Sequence, residues 1–460
     1  MWAPDLEIHP GPRYLAIADA ISRDLAEGRL APGARLPTHR DLADLLGVTV
    51  GTVSRGYAEA ARRGLVSGEV GRGTFLRQRL PEYAPLASTS LGTNVVDLSL
   101  NYPPTGLGET QAQLFQQTLH GLSRRDDLPP LLGYPPDGGS AVHRQAGAAW
   151  IAGAGLAASP EHVLVCSGSQ HALATVFASL LKPGEAILTE ALTYPGMKAA
   201  ASLLHLRLHG LTMDEHGLLP DALETACRTT GAKVLYTVPT IHNPTARVMP
   251  EERRRRIASI AEAHGVVIVE DDIHALLPEA RPRPIAFFAP QTTYYLAGTS
   301  KMLAPGLRIA FILAPAAGVE KVAQSIRATT WAAAPLMAEI AATWLRDGTA
   351  ATIVAERRRE ATVRQALARR ILAGCEVEGH PNAHHLWLHL PEPWRSDGFT
   401  AATLRRGVKV TPSEAFVVGR GLAPHAVRVC LGGPSPADLE RGLRVLAQTL
   451  AAGPTEGFPV

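Results

Sequence analysis

Five short segments hold residues able to do chemistry. Gly298-Thr299-Ser300-Lys301-Met302-Leu303-Ala304-Pro305-Gly306-Leu307-Arg308 offers an amine for Schiff-base formation and, downstream, a guanidinium for an anion. Glu270-Asp271-Asp272-Ile273-His274 supplies carboxylates and an imidazole, His242-Asn243-Pro244-Thr245 an amide, and Thr193-Tyr194-Pro195-Gly196 an aromatic ring. Ser167-Gly168-Ser169-Gln170-His171 is a small-residue turn opening a helix, where free N–H groups favour an anion. The lysine stands out because only six of the 45 basic residues are lysines. A bias toward arginine removes lysines whose amine chemistry is not needed.

The elements that must position these residues are short apolar runs alternating with helical stretches: Val163–Cys166, Ala186–Thr189, Val234–Val238, Val266–Val269, Tyr294–Ala297 and Ile309–Leu313. That alternation predicts βαβ units and a mostly parallel sheet, whose chemistry gathers at the carboxyl ends of the strands. Each segment above follows one of the runs, so amine, carboxylate, ring and anion turn are expected on one edge. The runs Arg253–Arg256 and Arg357–Arg359 lie in helical stretches and are expected on solvated faces or in ion pairs. His384, His385 and His389 have no acidic or cysteine partner at ligand spacing, so no metal site is expected.

With 460 residues, 46% hydrophobic and 19% charged, the chain is expected to hold two or three folded domains. The absence of a long apolar stretch or basic leader points to a cytoplasmic protein without membrane span, and four scattered cysteines fit a reducing compartment. The net charge of +3 does not announce a nucleic-acid binder, since residues 1–80 carry 11 arginines against 9 acids.

Placement is more telling than charge. Tyr14, Ala18, Ile21 and Leu25 mark one helix face; Thr38 caps a second helix with core Leu42, Leu45 and Leu46; and Thr49 caps a third, with Val53, Tyr57 and Ala60 inward and Thr49, Gly51, Thr52 and Arg55 outward. Leu65-Val66-Ser67 and Thr74-Phe75-Leu76 read as a glycine-tipped hairpin carrying Arg72. Residues 13–76 resemble the winged helix-turn-helix domain of GntR-type regulators in the stretch Gly28 to Ala43 and in Gly71-Arg72-Gly73-Thr74-Phe75. The resemblance implies that Arg40, Thr49, Thr52 and Arg55 meet a major groove of double-stranded DNA, while Gly71, Arg72 and Gly73 approach the minor groove or backbone.

The inventory around Lys301 is what pyridoxal 5'-phosphate requires. Residues 97–450 resemble the fold-type I aminotransferases, most specifically in the run from Ser300 to Arg308, and with the N-terminal domain the chain resembles the MocR subfamily of GntR regulators. The implied fold is an α+β winged helix-turn-helix (1–80), a linker (81–96), and an α/β aminotransferase-like domain (97–460), its large part about 97–330 and its smaller α+β subdomain about 331–460. The resemblance makes Lys301 the aldimine-forming lysine and Asp271 the partner of the pyridine nitrogen. It gives Asn243 the phenolic oxygen, Tyr194 a stacking role, and the phosphate to the backbone of Gly168, Ser169 and Gln170 with Ser300 and Arg308. Arg428 matches the arginine that grips an α-carboxylate, and Tyr134 a tyrosine that reaches the neighbouring subunit's phosphate, which implies a homodimer.

Two positions depart from the pattern. His274 stands where a tyrosine usually donates to the phenolic oxygen, and Gly298 where a hydroxyl usually meets the phosphate. The expected function is a transcriptional regulator that senses an amino acid, an amine or the cofactor through exchange at Lys301. The alternatives are an active aminotransferase of amino acids with an accessory DNA-binding domain, or a regulator whose cofactor pocket has lapsed.

Overall fold

The computed structural model describes residues 2, 4, 11–26, 29–30, 34–63, 65–69, 73–76, 95–104, 108–419 and 421–453. The chain separates into two compact units, Met1–Ala87 and Ser88–Val460. Residues 81–94 of the expected linker lie outside the described residues. Val96 begins a two-residue strand with Asp97 that pairs parallel with Val408–Lys409.

In the first unit, α1 (Arg13–Ala26) buries Ile17, Ala18 and Ile21. The Thr38 hydroxyl accepts the Asp41 N–H at 3.2 Å and starts α2 (His39–Leu46), which ends at Gly47 with φ 60°. The Thr49 hydroxyl accepts the Thr52 N–H at 3.2 Å and starts α3 (Val50–Arg62), whose Val53, Tyr57 and Ala60 are buried as the spacing requires. Leu45 departs from expectation and is exposed. The apolar stripe of this two-turn helix runs through Leu42, Ala43 and Leu46, and position 45 falls roughly 100° to its side. The hairpin is β1 (Val66–Glu69) against β2 (Gly73–Leu76), antiparallel, with Val66 opposite Leu76. The Leu36 N–H donates to the Thr74 carbonyl and the Leu76 N–H to the Ala34 carbonyl, so residues 34–36 flank the wing.

The second unit is built on a seven-stranded sheet of β3 (Val163–Cys166), β4 (Ala186–Glu190), β5 (Arg207–Leu211), β6 (Val234–Thr237), β7 (Val267–Asp271), β8 (Thr293–Gly298) and β9 (Ala310–Leu313). The order is β3-β9-β8-β7-β6-β4-β5. Only β9 runs antiparallel to its neighbours. All but β5 are nearly continuous apolar runs, as strands covered on both faces must be. Strand β5 has no such signal: it is an edge strand, its polar residues alternate outward, and Gly210 interrupts it.

Helix α4 (Ser169–Leu180) follows β3 and α5 (Pro195–Leu203) follows β4. The long α6 (Thr349–Ile371) leads to a four-stranded antiparallel sheet of β10 (Val377–Glu378), β11 (His385–His389), β12 (Thr411–Pro412) and β13 (Ala426–Cys430). Leu386, Leu388, Val427 and Val429 of that sheet pack with Leu439 and Leu443 into a core of their own. Among the described residues no helix is long and apolar enough to cross a membrane.

Candidate functional site

The parallel strands β6, β7 and β8 run side by side and deliver Asn243, Asp271 and Lys301 just past their carboxyl ends. Asp271 is buried. Its Oδ2 accepts the Tyr236 hydroxyl at 2.7 Å, while Oδ1 has no partner. Burial pushes the carboxyl up to about 6, opposed by the Tyr236 bond and reinforced by the nearby Asp272. An orphaned buried carboxylate oxygen calls for a donor such as a protonated ring nitrogen.

The Lys301 amine donates to the Asn101 carbonyl. Burial brings it down to about 8; Arg428 and Arg308 press the same way, while Cys430 and Asp271 oppose. A lysine so shifted has a substantial neutral fraction near neutrality, the form that attacks a carbonyl.

Anion-binding features cluster beside it. Gly168, with φ 90°, precedes α4, and a Cβ there would stand 2.7 Å from an Arg308 nitrogen. Arg308 itself holds the left-handed conformation, φ 51°. The Gly168 N–H is already donated to the Cys166 carbonyl at 2.8 Å, so the first-turn N–H groups at Ser169 and Gln170 are the helix donors left for an anion. The Ser300 hydroxyl is buried without a partner. A side chain at Gly298 would collide with Ser169 Oγ, so the Ser169 hydroxyl fills the space of the hydroxyl expected at 298. Gln170 uses its side chain on the Gly196 carbonyl at 2.7 Å, tying α4 to the turn that presents Tyr194. The Tyr194 phenol is pushed up by burial and by Asp271, and Arg428 and Arg308 act in the opposite direction.

Arg428 rises from β13 and donates to Asn243 Oδ1 at 2.8 Å and to the Ser99 carbonyl at 2.7 Å; its Nε has no partner. Ile241, a β-branched residue at φ 51°, marks a strained turn before Asn243. His274 is buried with both ring nitrogens unpartnered. Burial, His384 and Lys301 hold its pKa well below the ordinary imidazole value. A residue kept neutral in this way does not titrate near pH 7. Tyr134 stands outside this group, 84% exposed, its ring 5.2 Å from that of Trp331.

On the first unit, Arg40, Thr49 and Arg55 are exposed and Thr52 half-buried. The Thr49 and Thr52 hydroxyls lie 2.9 Å apart, and the Arg55 guanidinium sits 4.1 Å from the Tyr14 ring centroid. Gly71 and Arg72 fall outside the described residues.

The arginine runs only partly meet expectation. Arg253 pairs with Asp214, Arg359 with Glu356 and Arg254, though buried, with Glu270 at 4.0 Å, whereas Arg357 is buried with no ion pair among the described residues. Arg254 donates to the Met249 and Pro239 carbonyls. Burial of an arginine is decided by distant carbonyl acceptors, which no local pattern reveals. Tyr236, Asn101, Ser99, Arg357, His384 and His385 are further polar residues at or around the site. Only Tyr236 had a sequence signal, a phenol inside an otherwise apolar strand.

Residues 93–446 match the family model of class I and II aminotransferases, and residues 13–76 that of the gntR family of bacterial regulatory proteins. The chain is 32% identical to the uncharacterized HTH-type transcriptional regulator YdeF of Bacillus subtilis (strain 168), covering 98% of this chain and 96% of that one. It is 25% identical to the HTH-type transcriptional regulator TauR of Rhodobacter capsulatus, over 94% and 95% of the two chains. The crystal structure of LysN, the α-aminoadipate aminotransferase of Thermus thermophilus, complexed with N-(5'-phosphopyridoxyl)-L-leucine, superposes with a TM-score of 0.70 at 25% identity, covering 78% of this chain and 93% of that one.

Proposed function

We propose, on the premise that the chain belongs to the class I and II aminotransferase family and carries a gntR-family domain at its N-terminus in the MocR-type arrangement, that it is a pyridoxal 5'-phosphate-dependent, DNA-binding transcriptional regulator responding to a small amine or amino acid. The observation that carries this reading is the pairing of an orphaned, buried Asp271 oxygen with a Lys301 amine lowered to about 8. Pyridoxal phosphate supplies an aldehyde that condenses with amines and a ring that draws electrons from them.

The chain's residues then divide the work. Lys301 presents its neutral amine, and Asp271 accepts the ring N–H through Oδ1. Tyr194 covers one ring face. Asn243, its oxygen held by Arg428, turns its NH2 toward the phenolic oxygen, and His274 offers a neutral N–H nearby. Ser169 and Gln170 N–H groups, Ser300 and Arg308 hold the phosphate, with Gly168 keeping the cradle open. Arg428 takes the ligand's carboxylate.

Leu132 and Tyr134 are 90% and 84% exposed, and the Tyr134 ring lies 5.2 Å from that of Trp331; exposed apolar side chains of this kind suit a second copy of the chain. The proposed assembly is a cytoplasmic homodimer in which Tyr134 reaches the partner's phosphate and two DNA-binding domains meet two half-sites. In each, Arg40, Thr49, Thr52, Arg55 and Arg72 contact DNA. The proposed domains are 1–80 for DNA, 81–96 as linker and 97–460 for the cofactor.

A second reading, an active aminotransferase, is favoured by the completeness of the set Lys301, Asp271 and Arg428. Retardation of DNA from upstream of the chain's own gene tests the two. The regulator gives a salt-sensitive complex altered by cofactor plus amine and lost in Arg40→Ala. A complex unaffected by either, alongside conversion of the cofactor to pyridoxamine phosphate by amino acids, overturns the regulator and supports the enzyme.

A further inference from the structure

Beside Lys301 and His274 lies a polar corner whose other members, His384 and Arg357, the roles above leave unused. His384, immediately before β11, is 1% exposed, and neither ring nitrogen has a partner. The His274 ring lies 6.4 Å away at nearly a right angle, also without partners. Buried polar atoms are normally satisfied, and four orphaned ring nitrogens side by side call for a polar occupant. Burial and the nearby Lys301 and Arg357 charges hold His384 neutral, so each imidazole keeps one N–H to donate.

Arg357 on α6 brings the charge. It is 3% exposed, and its Nη2 donates to Gln111 Oε1 at 2.8 Å and to the carbonyl of Leu303, two residues past Lys301, at 3.3 Å. Its Nε has no partner, and among the described residues no carboxylate comes within ion-pair distance of it. A buried guanidinium without a counter-ion is costly. Here burial brings it down to about 10, while Glu360 and Glu356 oppose from beyond ion-pair distance.

We propose that His384 and Arg357, beside His274, form a subsite for a second carboxylate at the far end of the amine ligand, so that the ligand class is an acidic amino acid. The inference rests on the amine-sensing reading above and names what that site prefers. Arg428 grips the carboxylate next to the amine. The His384 N–H and the free edge of Arg357 take the distal one, which gives that guanidinium the close anionic partner it lacks among the described residues.

The test uses the full chain loaded with pyridoxal phosphate, titrated with L-glutamate against L-norvaline and with L-2-aminoadipate against L-norleucine, the change in visible absorbance giving each Kd. At least one acid is expected to bind at least tenfold tighter than its neutral isostere. Arg357→Gln and His384→Leu are expected to weaken that acid at least tenfold and the isostere less than threefold. Equal binding of both acids and their isosteres by the unmodified protein overturns the proposal without recourse to any variant. Equal weakening of acid and isostere in Arg357→Gln does so too, marking a packing role. If the cofactor loads and no amine of either class changes the spectrum, the amine-sensing reading fails and the subsite with it; if isosteres bind as well as acids, only the subsite fails.

Discussion

Tyr236 donates its hydroxyl to Oδ2 of Asp271 at 2.7 Å and leaves Oδ1 bare, so a single hydrogen bond both fixes the carboxyl and aims its second oxygen. The strands carrying the two residues are hydrogen-bonded neighbours, so the relationship is built into the sheet.

Asp271 costs stability when its ligand is absent. Its carboxyl is raised to about 6 from an ordinary value near 3.8. Below the ordinary value both folded and unfolded forms are protonated and nothing is lost. The cost grows as pH rises between the two values and is complete above about 6. Cofactor-free Asp271→Asn is therefore expected to be more stable than the unmodified protein at pH 8, by about 3 kcal/mol, and no different at pH 3.5, as read by denaturant unfolding. Once cofactor is added the same variant is expected to bind it more weakly.

On the proposed assignment, Lys301 sets the rate of cofactor capture. With its amine at about 8, the neutral fraction falls roughly tenfold per pH unit below that value and saturates above it. Stopped-flow mixing with pyridoxal phosphate should give a rate that climbs with pH, with its midpoint near 8, and levels off above it. A midpoint near 10, as for an exposed lysine, would contradict the burial argument.

Gly298 and Ser169 share one space. Restoring a hydroxyl by Gly298→Ser drives its Cβ into Ser169 Oγ, so cofactor affinity is expected to fall, while Gly298→Ser combined with Ser169→Gly is expected to recover it. Cofactor titration of the three proteins checks this.

Arg55 is held over Tyr14 at 4.1 Å from the ring centroid, which pre-positions an exposed guanidinium on the third helix. Arg55→Ala is expected to weaken DNA binding and lower the salt slope by about 1, with little change in thermal melting. Thr49→Ala removes a helix cap and is expected to cost about 1 kcal/mol of stability instead. Fluorescence anisotropy at several salt concentrations separates the two.

The parts legible in the sequence were those decided locally. Thr38 and Thr49 cap helices because hydroxyl and N–H lie three residues apart in the chain, and buried parallel strands betray themselves as apolar runs. The Lys301, Asp271 and Asn243 segments were legible because each follows such a run. What escaped is decided by distant partners. Strand β5 forms by pairing with β4, not by its own pattern; Arg254 and Arg357 are buried by carbonyls and an amide far along the chain; and His384 and His385, read as a bare pair of imidazoles, join the Lys301 site only when the small sheet folds against the large one.

The most direct test of the central claim is the visible spectrum of the purified protein after incubation with pyridoxal phosphate and removal of the excess. A visible absorption band of bound cofactor, as a conjugated imine gives, that is abolished in Lys301→Ala and retained in Lys321→Ala is the expected result. A colourless unmodified protein, or a band that survives Lys301→Ala unchanged, would contradict the account.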